Sequence, residues 1–272
     1  MNSFKLLKSD HLIHGITSRE GGVSTGAYSS MNTGIFGDDD RDNVLENIRL
    51  ALIELGTDAK TIILAQQVHS KNVVIIDDKT DFNVMEKVKL ENTPLEGFEM
   101  YISAQTDGLM TNRNDVILVT FYADCVPLIL YDPVKHVVAA VHSGWVGTAK
   151  AIGAEAVRKM VSVYGSNVSD IKVGIGHSAG ICCYEIGDDV IDALKLEFSV
   201  QSIRDFVITK RYGKYMIDLK EANAKLLRDA GISPKHIEID PDCTICNPEK
   251  YHSHRRAKGG KRGMMSGIVQ LK

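Results

Sequence analysis

The sequence predicts an α/β (α+β) fold, a single domain over residues 1–272 in which mixed β-sheets are flanked by helices. Two observations carry that reading. Short runs rich in Val and Ile, the length of buried strands, are spread along the whole chain and interleaved with longer segments of helical periodicity. Some strand-like runs are also hairpin neighbours, which departs from strict βαβ alternation and points to mixed sheets.

In chain order, the first landmark is a turn-rich segment from Thr17 to Gly37, crowded with Gly, Ser, Thr and Asn. A long loop of this kind in a compact domain is more often functional than idle. Val44, Ile48, Leu52 and Leu55 then recur at helical spacing, with Asp42 or Asn43 as the expected cap. Strands are expected at Ile62–Val68, Asn72–Ile76, Val116–Phe121, Pro127–Tyr131, Val137–His142 and Ile171–Ile175. A second helix is expected from Thr148 to Tyr164, closed by Gly165. A weaker one spans Asp188 to Phe198, and a third runs from Leu219 to Ala230 before Gly231 and Pro234. Phe206–Leu219 reads as a hairpin around Tyr212 and Gly213. The stretch Lys250–Lys272 holds seven basic residues and no acidic one, either a solvated basic face or an anion-binding surface.

A chain of 272 residues can bury a large core without a disulfide or metal staple. Its 44% hydrophobic and 25% charged residues are ordinary for a globular protein. A net charge of −3 argues against a general nucleic-acid binder. The longest apolar run, Val137–Val141, is far short of the roughly 20 residues a spanning helix needs. The start, MNSFKLLKSDHLIHG, lacks a signal-peptide core. A cytoplasmic setting with no membrane partner is therefore expected. Thiols stay reduced there, so a notable cysteine is catalytic or metal-binding rather than bridged. Five cysteines and nine histidines make that distinction matter.

Three segments place Cys and His where a strand meets a turn: Gln67-Val68-His69-Ser70, Ala123-Asp124-Cys125-Val126-Pro127 and Val141-His142-Ser143-Gly144-Trp145. Strand ends let separate strands converge on one point at a sheet edge. His69, Cys125 and His142 would then form a Cys/His₂ set, three ligands with one open position, as in catalytic zinc. The same residues allow a metal-free reading in which Cys125 is a thiolate nucleophile and His142 its base. Spacing leaves both open. Asp124 would orient His142 or shuttle a proton. Cys243 and Cys246 form a C-x-x-C whose only remaining partners, Cys182 and Cys183, are adjacent, an awkward arrangement for one ion. Pro241 and Pro248 bracket a loop rather than a thioredoxin-like strand-to-helix start, so these four thiols read as packed or idle. His252 and His254 form one H-x-H, followed by Arg255 and Arg256. With Arg19 in the early loop, these arginines are candidate partners for an oxyanion. No phosphate-binding loop of the Walker A or G-x-G-x-x-G kind is present.

These motifs occur in a recognisable order: T-x-R-x-G-G-V-S, Q-V-H-S, D-G-L (Asp107 to Leu109), A-D-C-V-P, V-H-S-G-W-x-G-T, C-C-Y-E-I-G, I-D-L-K and S-H-R-R. The series resembles the laccase-domain family, first described as polyphenol oxidases and reassigned as purine nucleoside phosphorylases with adenosine deaminase activity. Some relatives are described as peptidoglycan editing factors. The resemblance implies a fold of mixed sheets like the catalytic domain of cytotoxic necrotising factors. It also implies zinc held by His69, Cys125 and His142. Purine nucleosides (adenosine, inosine, guanosine, methylthioadenosine) and phosphate would be the small-molecule partners. Arg19, Arg255, Arg256 and Asp107 would then face substrate or phosphate, with Asp124 or Asp107 as the acid/base group of deamination. Two positions depart from the family pattern: Val146 replaces a usual Arg, removing a candidate anion contact, and His177 stands where proline is common. Two rivals follow from the same residues. One is a Cys125/His142 hydrolase acting on peptidoglycan precursors. The other is a copper phenol oxidase, whose blue-copper ligands the triad would mimic. A multicopper oxidase spreads its metals over several H-x-H pairs, and this chain has one.

Overall fold

The computed structural model describes residues 1–210 and 212–272. From the N-terminus, β1 (Leu12–Ile16) leads through the turn-rich loop to α1 (Arg41–Leu55), β2 (Thr61–Ala65), β3 (Val73–Ile76), β4 (Glu86–Lys87), β5 (Glu99–Ser103) and β6 (Gly108–Thr111). Three long strands follow, β7 (Val116–Tyr122), β8 (Val126–Asp132) and β9 (Val137–Ser143), then α2 (Trp145–Ala149), α3 (Ile152–Tyr164) and β10 (Lys172–Ile175). The remainder holds β11 (Glu185–Ile186), α4 (Asp188–Leu194), α5 (Val200–Ile203), β12 (Val207–Thr209), β13 (Tyr215–Ile217), α6 (Leu219–Asp229), β14 (Ile237–Ile239) and β15 (Met265–Leu271).

Among the described residues these strands build two six-stranded sheets and one of three strands. The first sheet runs β1-β15-β7-β2-β5-β4 and the second β14-β10-β8-β9-β6-β3. Both are mixed, as expected: β2 lies parallel to β5 and β7, whereas β15 is antiparallel to β1 and β7. Period-2 alternation then assigns the layers. Leu118 of β7 and Val269 of β15 pack against Ile129 of β8 and Val138 and Ala140 of β9, so the two sheets face each other. The opposite face of the first sheet, with Ile62, Val119 and Ile268, is covered by Val44, Ile48 and Leu52 of α1. The opposite face of the second, with Leu128, Ala139 and Val141, is covered by α3, α4 and α6. Strands buried on both faces read as continuous apolar runs, which is why β7, β8 and β9 are legible in sequence.

Several boundaries move. Asp40, rather than Asp42 or Asn43, caps α1, its side chain accepting from the Asn43 N–H at 3.0 Å. The helix expected over Thr148–Tyr164 is two helices, because Ala151 takes a left-handed conformation (φ 55°) between α2 and α3. Gly165 closes α3 at φ 68°, as its position predicts. The basic C-terminal stretch is neither a uniform solvated face nor a uniform anion surface. Met265–Leu271 is a fully buried central strand, and Tyr251, His252 and Ser253 are buried as well. No helix among the described residues is long and apolar enough to cross a membrane.

Candidate active site

The site lies at the edge where the two large sheets meet, because the ends of β7, β8 and β9 arrive there together. Strand β7 ends at Tyr122, the Ala123–Cys125 turn follows, and β8 starts at Val126. Its second residue, Pro127, pairs with His142 near the end of β9. The third contribution comes from the turn after β2. There the Gln67 side chain continues the sheet, donating to the Phe121 carbonyl at 2.7 Å and accepting from the Phe121 N–H at 2.8 Å. His69 follows in a left-handed conformation, φ 58°. The Cys125 thiol stands 3.9 Å from His69 Nε2, and one ligand atom from each of His69, Cys125 and His142 falls within 4.8 Å of the others.

Asp107 organises this set from beneath. Its residue precedes β6, directly across from His142, and its carbonyl accepts the His142 N–H at 2.7 Å. Its carboxylate accepts the N–H groups of Val68, His69 and Ser70 at 3.3, 3.0 and 2.7 Å, and the Ser70 hydroxyl at 2.7 Å. That nest of successive amides holds the His69 turn in its left-handed shape. The same carboxylate lies 3.0 Å from His142 Nδ1, which leaves His142 Nε2 as the free nitrogen. Burial would raise the Asp107 pKa, but the bonds from His142 and Ser70 bring it down to about 2.

Burial would also raise the Cys125 thiol, yet the facing imidazoles of His142 and His69 bring it down to about 6. Burial disfavours charge on His142, while the Cys125 thiolate and Asp107 carboxylate together raise its pKa to about 9. The opposite shifts favour a thiolate facing an imidazolium in the metal-free chain.

The triad opens into a cavity of about 500 Å³ with Phe36, Phe121, Trp145 and Tyr184 on its walls. Arg255, Arg262 and His254 line it as well. Asp124 is on the wall too, with both oxygens engaged: Thr244 and Ser253 donate to it at 2.6 and 2.9 Å and the Arg255 N–H at 2.7 Å. Asp107, not Asp124, is thus the residue that orients His142. Asp107 is fully buried behind the triad and does not line the cavity, so it is out of reach as a substrate contact.

The arginines separate in the same way. Arg19 donates to the carbonyls of Ser29 and Pro248, which ties the Gly-rich loop to the C-terminal region. Arg256 donates to the carbonyls of Thr244, Ile245 and Tyr251. Both are held by backbone, and neither lines the cavity. Arg255 does line it, its guanidinium 4.8 Å from the centre of the Tyr184 ring and its Nη1 donating to the Glu185 carbonyl at 2.8 Å. Arg262 joins it, with its Nε buried and unpartnered. Sequence reasoning missed Arg262 because it sits in a run of Lys, Arg and Gly that looks like solvated surface. His177 is elsewhere: it stacks on Tyr251 and bonds Asp240 at 3.3 Å.

The profile of a family described as multi-copper polyphenol oxidoreductase laccase matches residues 13–272. The chain belongs to that family. Among family members, a Bacillus subtilis protein named purine nucleoside phosphorylase YlmD is 34% identical over 263 residues, covering 96% of this chain and 89% of the relative. Another, from an unknown prokaryotic organism and named adenosine deaminase RL5, is 30% identical over 245 residues, covering 90% and 88%. The crystal structure of the Bacillus licheniformis hypothetical protein YfiH superposes with a TM-score of 0.84 at 34% identity, covering 96% of this chain and 93% of that one. The family fold is thus the mixed α/β arrangement described above.

Proposed function

We propose that the chain is a zinc-dependent purine nucleoside enzyme. It would cleave adenosine, inosine, guanosine or methylthioadenosine with phosphate and hydrolytically deaminate adenosine. The observation that carries this reading is the convergence of His69, Cys125 and His142 at an aromatic-walled cavity. The donor set suits zinc: a thiol with a depressed pKa and two imidazoles, one of them fixed through its far nitrogen by a carboxylate. Bound there, zinc would supply Lewis acidity and make a water molecule acidic enough to ionise near neutral pH.

The chain's own groups supply the rest. Phe36, Phe121, Trp145 and Tyr184 offer ring faces to a planar purine. Arg255 and Arg262 line the cavity, as Arg19 and Arg256 do not, and offer planar cations to phosphate. In phosphorolysis the bond from ribose C1′ to the purine nitrogen breaks, a phosphate oxygen bonds C1′, and the leaving purine takes a proton. In deamination water adds at C6 and ammonia leaves. Of the two carboxylates, Asp124 is the one on the cavity wall, and the proton transfer is assigned to it. The phosphorylase and deaminase names of the relatives support both halves.

One observation favours a second reading. Cys125, His142 and Asp107 reproduce the order of nucleophile, base and orienting carboxylate of a thiol hydrolase. His69 argues against it, because such a hydrolase needs no second imidazole on its thiol. Copper, which the family description names, fits a His₂Cys set. The other group among the described residues that could hold a metal is all-cysteine rather than a histidine cluster, which favours zinc over a multicopper relay. Product analysis with adenosine and phosphate tests the proposal. Adenine with ribose 1-phosphate, and inosine, are expected from the wild type and are lost in Cys125→Ala. Full turnover by Cys125→Ser would overturn it.

A further inference from the structure

The four cysteines outside the triad come together. Cys182 and Cys183 share the turn after Gly180, in which the Cys183 and Tyr184 N–H groups both bond the Gly180 carbonyl at 3.0 and 2.9 Å. That turn brings two adjacent residues to the same partner: the Cys182 and Cys183 thiols lie 3.3 and 3.1 Å from the Cys246 thiol. Cys243, the other half of the C-x-x-C, is buried at the junction of the two loops and accepts the Gly180 N–H at 3.2 Å. All four sulfurs lie within 4.8 Å of one another. Adjacency in sequence, which argues against shared ligation, is overcome here by a tight turn.

We propose that Cys182, Cys183, Cys243 and Cys246 form a second metal site, a tetrathiolate centre for a soft divalent cation such as zinc. Three features support it. Sulfurs bound tetrahedrally at about 2.3 Å from zinc are separated by about 3.8 Å, within the spread found here. The C-x-x-C offers the usual ligand spacing of a structural zinc loop. A backbone amide already serves one sulfur, the Gly180 N–H donating to the Cys243 Sγ at 3.2 Å. On binding, the thiols release their protons to solvent and four metal–sulfur bonds form, with no change of oxidation state.

Placement gives the centre its role. Thr244, next to Cys243, donates to Asp124, and Tyr184, next to Cys183, lines the active cavity. A metal here would staple the 180–184 and 243–247 loops together and so fix one wall of that cavity. The site is independent of the triad, and Cys125 takes no part in it.

Metal analysis and cobalt spectroscopy of the full-length protein test this. Zinc-loaded wild type should carry one ion per chain more than Cys182→Ser/Cys246→Ser, and Cys125→Ala should keep that ion. Should the double variant not fold, cobalt-loaded Cys125→Ala provides the readout: the intense visible bands and sulfur-to-cobalt charge transfer of a tetrathiolate centre are expected. Two results would overturn the proposal. One is a cobalt spectrum in Cys125→Ala without thiolate ligation. The other is a metal-loaded wild type whose Cys183 and Cys246 are recovered as a disulfide.

Discussion

His69, Cys125 and His142 draw their chemistry from a residue that never touches the cavity. Asp107 gathers three amides, a hydroxyl and an imidazole on one buried carboxylate. Replacing it by Asp107→Asn removes the charge and weakens that nest while barely changing volume. Metal affinity and turnover are expected to fall about 10- to 100-fold, the usual cost of losing a group that orients a ligand. Titration of zinc into the chelated variant checks the first, and initial rates check the second. The thiol makes a separate prediction. Its pKa is depressed in the folded chain, so the thiolate persists as pH falls until about 6, and its stabilising contact with His142 is lost below that value. Above about 9 the same contact is lost from the other side, as His142 gives up its proton. Alkylation of Cys125 by iodoacetamide in chelated protein should therefore reach half its maximal rate near pH 6. A midpoint near the ordinary thiol value of 9.0 would contradict the ion pair. The cluster of His69, Cys125 and His142 was legible in sequence because each sits at a strand end within a short motif. The work of Asp107 was not, because it acts on residues more than thirty positions away, joined only by strand pairing.

At the scale of elements, α2 begins at the site itself. Gly144 is its N-terminal flanking residue, with an extended backbone that any side chain tolerates. The reason for glycine is space. A Cβ there would stand 2.9 Å from the His69 ring and 3.0 Å from the Cys125 sulfur. Gly144→Ala should therefore push on the ligands and lower zinc affinity by about tenfold, at a folding cost of about 1–3 kcal/mol for the added methyl. Isothermal titration and urea unfolding separate the two effects. Elements missed in sequence share a physical cause. β1 contains His14 and Gly15, β6 begins with Gly108, and β15 carries Ser266, Gly267 and Gln270 among its apolar residues. Polar and glycine residues inside a strand are tolerated when sheet partners satisfy them, and a single sequence does not display those partners. The proximity of Cys182 and Cys183 to Cys246 is hidden in sequence for a similar reason, since only the turn at Gly180 brings both thiols to it.

Across the whole molecule, the two termini meet in one sheet, with β15 inserted between β1 and β7. The last strand thus holds β7, whose end carries the turn to Cys125. Ile268 of β15 is buried against α1 and the first sheet. Ile268→Ala should cost about 2–5 kcal/mol in urea unfolding, a core loss far from the cavity that leaves zinc stoichiometry unchanged. The same insertion explains why a C-terminal segment that looks like a basic tail carries Arg255 and Arg262 to the cavity: it is tethered at Asp124 before it enters the sheet. On the proposed reading, a metal held by His69, Cys125 and His142 drives nucleoside chemistry. Its most direct test is nucleoside turnover before chelation, after chelation, and after zinc is restored. Cleavage and deamination of adenosine should disappear with the metal and return with zinc in the wild type, and Cys125→Ala should not recover. Undiminished turnover of adenosine by the fully metal-free enzyme would contradict it.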